Sequence, residues 1–446
     1  MLEKIKKNHA IENILLLFIL AQPVLDLITS LAITYLKTEF TAGIFIRFAM
    51  MLLGVIYIFF IADSVNKKKS IIYILVLGLF LLLGLINNLM VKSPVSLSEE
   101  IKFILKSVYF VILFYSYLIV FKQLQSRSWW QNAVQKYIVY AMTLVGLSML
   151  VAGLTHTAFN SYKYDKVGHV GWFHAGNEIG AIMSICFPIV VLFAIKKTST
   201  IKKSYYWIPT ILMIYSLMAI GTKVGFGSVF ITLVISLSML IVEFFRKGNI
   251  RQYLKVNLLI NLIIFAVFVL YIPFSPIAKN TAIHLTLLEN KEKPTTPQDE
   301  TQAPEKQELS DQQIEDLVLS SRGAFLEQQK QYFTDAPVSQ KVLGMGYAGN
   351  YKDTPKMVEM DFYDLFFSFG ILGFLLYFIP FIRVAIEMAI KVLRNLKSHF
   401  TIDNVLVASG IVLGLGIAFS AGHVFTAPAV SIYLAILVAY LYVKIA

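Results

Sequence analysis

Apolar stretches of about twenty residues recur along this chain, and few charged side chains interrupt them. A helix of that length crosses the hydrocarbon core of a bilayer. Twelve such segments lie near 12–35, 41–62, 71–91, 101–121, 137–155, 177–195, 205–221, 225–245, 256–275, 361–382, 403–420 and 428–444. All should be helices, because an open sheet in lipid leaves backbone groups unpaired. Charged residues make up 15% of the chain and hydrophobic ones 57%, against about 25% and 45–50% in soluble proteins. A water-soluble multidomain enzyme is thereby excluded. The single Cys186 sits in an apolar run, which excludes an intramolecular disulfide and a Cys-based metal site. The basic segment Met1–Ala10 precedes an apolar stretch without a small-residue cleavage site, so it reads as the flank of a retained first span.

The net charge of +12 would suggest nucleic acid in a soluble protein. Here the basic residues alternate with the spans: 22 fall in one set of connections and tails, five in the opposite short ones. That asymmetry places both termini in the cytoplasm and makes the charge a topology signal; no nucleic-acid partner is expected. The fold expected is all-α, a polytopic membrane bundle of about twelve helices with one large extracytoplasmic loop. It divides into spans 1–9 over residues 1–275, the loop over 276–360, and spans 10–12 over 361–446. Within the loop, 290–309 is polar and Pro-rich and reads as a flexible linker. Ser310 and Gln313 form a capping box, and Ile314, Leu317, Val318, Ala324, Phe325 and Tyr332 recur near the helical period. They predict an amphipathic helix over 311–333 lying on the bundle or the membrane face.

Polar residues in or beside a span are functional candidates, because the bilayer penalises them. One group is Gly168-His-Val-Gly-Trp-Phe-His174-Ala-Gly-Asn177-Glu178, leading into the sixth span; its acidic and amide residues also suit a helix start. A second is Gly221-Thr-Lys223 between spans seven and eight, where the ammonium could bind phosphate or snorkel to lipid head groups. A third is Ser321-Arg322-Gly323 in the loop. The fourth, Glu359-Met-Asp361-Phe-Tyr-Asp364, leads into span ten. Partial desolvation would raise a carboxylate there towards the range of a general base, whereas the macrodipole alone would also favour acids in that first turn. Arg47, Asp26, Lys102 and Lys106 lie within or at the ends of spans, open to substrate contact or to pairing among themselves. His423 closes span eleven and is a candidate for substrate contact or for packing. No metal-ligand spacing such as H-E-x-x-H and no G-x-S-x-G elbow occurs.

In order and sidedness these segments resemble the O-antigen ligase and O-antigen polymerase superfamily of membrane glycosyltransferases. The resemblance is carried by the Gly-Trp-Phe-His-Ala-Gly-Asn177-Glu segment, the Gly-Thr-Lys223 turn, Ser321-Arg322-Gly323, Pro337, the Gly344-x-Gly346 turn, and Glu359-Met-Asp-Phe-Tyr-Asp-Leu-Phe-Phe-Ser-Phe-Gly370-Ile-Leu-Gly373. The family's histidine, proposed as its catalytic base, falls on Glu359, and its arginine in the short outer turn falls on Lys223. These departures point to a branch acting on a cell-wall or capsule polymer.

The resemblance implies transfer of a glycan from a polyprenyl-diphosphate carrier to an acceptor hydroxyl on a glycan or the cell wall. The reaction would occur at the outer face of a bacterial cytoplasmic membrane. Lys223 and Arg322 would hold the diphosphate and Glu359 would act as base. His174, Asn177, Asp361, His423 and Arg47 would contact substrate. Neither a cofactor nor a metal is expected, since two cations can stabilise the leaving diphosphate. A flippase of lipid-linked oligosaccharides is the alternative; it would favour intramembrane charges and has no need of a large outer loop.

Overall fold

The computed structural model describes residues 9–38, 41–62, 67–127, 129–162, 166–246, 252–292 and 322–445. Among these the chain is a helix bundle, with an isolated bridge between Asn160 and His169 as its extended pairing. The helices are α1 Ala10–Leu31, α2 Ala42–Ile56, α3 Lys67–Val91, α4 Leu97–Gln123, α5 Trp130–Leu154, α6 Gly176–Lys197, α7 Ile208–Ile220, α8 Lys223–Arg246, α9 Gln252–Tyr271, α10 Pro276–Glu292, α11 Arg322–Asp335, α12 Val338–Leu343, α13 Asp361–Arg394, α14 Leu396–His399, α15 Ile402–Ser420 and α16 Pro428–Ile445. Single π turns prolong α1 to Leu36 and α2 to Ile61.

Eleven helical runs among the described residues are long and apolar enough to cross a membrane. The seventh predicted segment, 205–221, is the difference from twelve. Its α-helix has 13 residues, about 20 Å at 1.5 Å per residue, and a 3₁₀ run over Ile201–Trp207 leads into it. The two together still join the ends of α6 and α8. The centre of the bundle is α6, whose apolar window is 94% buried, whereas that of Tyr253–Ile283 is only 17% buried. Helices α5, α7, α8, α15 and α16 surround α6.

The loop region begins differently from its expectation. Helix α10 runs to Glu292 and so includes the first residues of the 290–309 linker. The rest of that linker and the Ser310 capping box lie outside the described residues. Of the 311–333 helix the described part is α11, and its buried face is not the predicted one. Leu326 and Gln329 are buried, Ala324 is exposed, and Phe325 and Tyr332 are half-buried. The reason is twofold: Lys356 stands over the Phe325 ring at 5.1 Å, and Leu326 packs with Ala336, Met345, Val358, Met360 and Phe367 into a small core of the loop itself.

That loop is fastened at two places. Helix α13 is broken at Gly370, which adopts φ 67° and ψ −177°, a conformation open to glycine. The break frees carbonyls one turn earlier, and the loop takes them: Met345 N donates to Phe367 O at 2.9 Å and Gly346 N to Ser368 O at 3.1 Å. A Cβ on Gly344 would collide with the Ser368 carbonyl, and one on Gly370 would stand 2.5 Å from Gly344 N. Non-helical backbone at membrane depth is tolerated where protein satisfies it. Beyond the break roughly 24 residues remain, about 36 Å of helix and enough to span.

The second fastening is a buried ion pair. Lys92 Nζ lies 2.7 Å from Glu100 Oε1, with side chains 1% and 3% exposed. Lys92 also donates to Tyr347 O at 2.6 Å, and Tyr347 N donates to Glu100 Oε2 at 2.9 Å. Beside it Gln340 links Asn88 and Asn350 by amide hydrogen bonds. Breaking such a pair on one side leaves a buried charge and costs about 3–5 kcal/mol. Lys92→Met should therefore release the loop, seen as faster proteolysis between 322 and 360, and Lys92→Met/Glu100→Leu should be less damaged than Lys92→Met alone. Equal protection in wild type and single variant would show that the pair does not fasten the loop.

Candidate functional site

The head of α13 gathers three chain segments at the end of the bundle that carries the loop. Helix α13 opens with acids, as the dipole of a first turn prefers. Asp364 reaches back: Oδ1 accepts from Val358 N at 2.8 Å and Oδ2 from Met360 N at 3.1 Å. Asp361 points the other way, towards the turn between α15 and α16. It accepts from His423 N at 3.1 Å, Val424 N at 2.6 Å, Phe425 N at 2.8 Å and the Thr426 hydroxyl at 2.9 Å. Asp361 is 1% exposed, and its carboxylate is taken up by the turn that carries His423.

These contacts bring Glu359 and His423 together, both with left-handed backbones, φ 63° and 60°. Positive φ is uncommon for side chains of this size and gathers at functional sites. Gly422 makes the approach possible, since a Cβ there would stand 2.5 Å from Glu359 O. Around the Glu359 carboxylate stand Lys356 Nζ at 2.6 Å, Arg322 Nη2 at 3.6 Å and His423 Nε2 at 3.9 Å. The last distance is an ion-pair spacing, too long for a hydrogen bond. The Glu359 and His423 side chains are each about a third exposed, 32% and 31%.

The expected rise in the Glu359 pKa does not occur. His423 and Lys356 outweigh desolvation and hold its carboxyl down at about 2. His423 is pushed the opposite way: burial lowers it, but Glu359, Asp361 and Glu178 together raise it above its ordinary value. A carboxylate held that low is a weak proton acceptor at neutral pH, whereas an imidazole titrates in the useful range.

The other candidates fall into two groups. Arg47 is buried and paired with Asp26, while its Nε donates to Gln22 Oε1 at 3.1 Å; Tyr109 and Glu178 lie within electrostatic reach. Glu178, in the first turn of α6, faces His423, Arg47, Lys106 and Asp26, and His174 and Asn177 beside it are exposed. This group therefore adjoins the Glu359 cluster through His423.

Lys223 stands on a different turn, between α7 and α8. Its turn is built by Gly221, the left-handed C-cap of α7, and by Thr222, whose hydroxyl accepts from Gly225 N at 3.1 Å. Asn280 of α10 clamps that turn to the 155–175 connection, its amide donating to Val167 O at 2.7 Å and Gly221 O at 3.0 Å. Lys223 is exposed, with Lys166 as a like-charged neighbour. No three His, Cys, Asp or Glu side chains among the described residues converge as metal ligands would.

Sequence reasoning missed Lys356, whose spacing of three from Glu359 was the available signal. It placed Glu178 in the candidate group leading into the sixth span, with a helix start as the alternative, but carried no signal of its nearness to His423 and Arg47. The pairing of Arg47 with Asp26 was one of its open alternatives.

A bundle of helices long and apolar enough to cross a membrane, with a loop folded onto one end and a charged cluster at the head of α13, defines a multi-pass membrane protein. The sequence matches the O-antigen ligase like membrane protein family over residues 8–446, nearly its whole length, and the chain belongs to that family. Membership supports a membrane glycan ligase or polymerase type of function. No curated protein matches the chain.

The cluster has a pH signature. The raised His423 contributes stability that is complete below about pH 6.5 and is lost as pH rises through its folded-state value. The depressed Glu359 contributes stability that is present above about pH 4.3 and is lost as pH falls towards about 2. Wild-type protein should thus lose thermal stability as pH rises above about 6.5, and His423→Gln should lack that component. An unchanged slope in the variant would remove His423 from the account.

Proposed function

We propose that the protein is a glycosyltransferase of the outer membrane face, moving a glycan from a polyprenyl-diphosphate carrier to an acceptor hydroxyl of a surface polysaccharide or the cell wall. The observation that carries this reading is the set of basic side chains drawn around one carboxylate at the loop end of the bundle: Arg322 and Lys356, with the imidazole of His423, about Glu359. The charge of Arg322 and Lys356 alone exceeds that of Glu359, so the cluster can accept the oxygens of a diphosphate with His423 neutral.

In the reaction the acceptor oxygen attacks the anomeric carbon of the donor sugar. The bond from that carbon to the phosphate oxygen breaks, and the electron pair leaves with the polyprenyl diphosphate. Arg322 and Lys356 stabilise the charge that builds on the leaving oxygens. His423 takes the acceptor's proton, and Glu359 steadies the imidazolium so formed, in the manner of an acid that orients a catalytic histidine. This assigns the base to His423, with Glu359 as its partner. Lys223, with Lys166, offers a second cationic patch towards which the carrier's phosphates can approach. Asp361 acts through the turn it holds. The Arg47–Asp26 pair is an intramembrane charge of the kind a flippase uses, but the two neutralise each other.

Losing a general base reduces rate by about 10²–10⁴, and losing one electrostatic stabiliser by about 10²–10³. His423→Asn and Arg322→Ala should therefore nearly abolish surface polysaccharide in a complemented deletion strain while reaching the membrane at normal level. Glu359→Gln should be weaker in effect than His423→Asn. Normal polymer from His423→Asn would overturn the assignment of the base. In the deletion strain, short chains would indicate a polymerase, and intact polymer left on the carrier lipid a ligase.

The sidedness in this reading rests on the distribution of basic residues. A cysteine at Gln302 should react with an impermeant thiol reagent in intact cells, and one at Lys68 should not. The reverse pattern would place the cluster in the cytoplasm and sink an outer-face reaction.

A further inference from the structure

Away from the Glu359 cluster, the ends of α4, α13 and α16 bring three cations around one aromatic ring. The ring is that of Tyr442, 14 residues along α16 from Pro428 and thus roughly 21 Å from its head. Lys122 Nζ of α4 stands 5.3 Å from the ring centre and Lys391 Nζ of α13 stands 5.6 Å from it, both within reach of a cation–π contact. The Tyr442 hydroxyl donates to Glu387 Oε2 at 2.5 Å, and Arg383 Nε donates to Glu387 Oε1 at 2.8 Å. Arg383, Glu387 and Lys391 recur every four residues and so share one face of α13. Both Glu387 oxygens are engaged there, whereas Lys122 and Lys391 make no hydrogen bond or ion pair among the described residues. Three cations against one acid leave an excess of positive charge. Arg383 is exposed and the two lysines are half-buried. Beside them Leu375, Ile379, Ile382 and Ile386 are exposed; spaced by three or four, they form an apolar stripe along α13 that reaches Arg383.

We propose that Lys122, Lys391 and Arg383 form a binding site for an anionic phospholipid in the leaflet away from the loop, its phosphate drawn to the cations and its acyl chains laid along the α13 stripe. The inference stands apart from the transferase reading, since it uses no residue of the Glu359 cluster. Charge and apolar surface together select the ligand. A soluble phosphate would use the cations alone, whereas a phospholipid uses both features, and basic residues between membrane helices are suited to anionic headgroups. Tyr442 is the support of the site. Its ring holds two like charges as neighbours, and its hydroxyl, taken up by Glu387, keeps the ring in place. A phosphate arriving between the ammoniums removes their repulsion. Glu387 meets Arg383 through Nε, which leaves the other two guanidinium nitrogens for phosphate oxygens.

The test uses the purified full-length protein in detergent micelles, with bound lipid counted by native mass spectrometry. The probes are phosphatidylglycerol, which is anionic, and phosphatidylcholine with the same acyl chains, which has no net charge. One Lys or Arg near an anionic lipid changes binding about five-fold. Wild type should prefer phosphatidylglycerol. Lys391→Gln should weaken that lipid about five-fold and Lys122→Gln/Lys391→Gln about twenty-five-fold, with phosphatidylcholine unmoved. Lys122→Arg/Lys391→Arg should keep the preference. Lys202→Gln, an exposed site between α6 and α7, should leave it unchanged. Equal binding of the two lipids by wild type overturns the site, and so does an equal loss in Lys202→Gln, which would make the preference a property of total charge. Glycerol 3-phosphate at millimolar concentration offers the phosphate without the chains: retention of the lipid supports the assignment, and its displacement overturns it in favour of a soluble phosphate ester. If the double glutamine variant fails to reach the membrane, Lys391→Gln and the wild-type lipid comparison decide by the same criteria.

Discussion

Both oxygens of the Asp361 carboxylate are committed to the turn that joins the last two spans, and the geometry of the cluster follows from that commitment. Four donors, three of them consecutive backbone amides, converge on one buried side chain. Hydrogen bonds to a charged acceptor are the strong ones. Orphaning those amides would leave buried donors unpaired. The turn is thereby locked to the head of α13, and His423, the first of those donors along the chain, is held against Glu359 with both backbones in a strained region. Neither residue chooses that conformation by itself; the surrounding bonds impose it, as strained sites require.

The same helix head also fixes the loop. Because α13 breaks at Gly370, its first turns are free to present carbonyls sideways, and the Gly344–Gly346 strip takes them. The loop thus enters the fold through backbone hydrogen bonds, and the Lys92–Glu100 pair fastens it again from the opposite side. Arg322 and Lys356 both belong to this loop, while Glu359 closes it. Docking of the loop and assembly of the cationic cluster are consequently one event. The glycines of the resemblance mark a packing requirement and carry no chemistry of their own.

The spans were legible because lipid imposes a length and a composition on each of them separately, so local reading suffices. The seventh segment was harder because its apolar run begins in a 3₁₀ stretch, which composition does not distinguish from α. The candidate residues were found as types near membrane ends, yet their relations were not visible. Asp361 and His423 are separated by 62 positions, and no spacing rule connects them. The same holds for Arg47 and Asp26, which sit on different helices, although both carried the signal of a charge within a span. The loop helix showed its period but not its face: whether Phe325 or Leu326 turns inward depends on Lys356, a residue from another segment. The raised pKa expected at Glu359 followed correctly from desolvation alone and failed because the cations that reverse it are brought by folding.

The charges near the loop end differ between two neighbourhoods of His423. Arg322 and Lys356 of the loop stand about Glu359, whereas Glu178 lies within electrostatic reach of Asp26, Arg47, Lys106 and His423. In a site of low dielectric such interactions are stronger than in water. In the proposed reaction, a proton taken up by His423 is stabilised by the Glu359, Asp361 and Glu178 carboxylates, which raise its affinity for protons in the resting fold. Where the resemblance places the family's histidine this chain has Glu359; in the proposed reaction the imidazole of His423, from the α15–α16 turn, takes the proton and Glu359 is the group that steadies it.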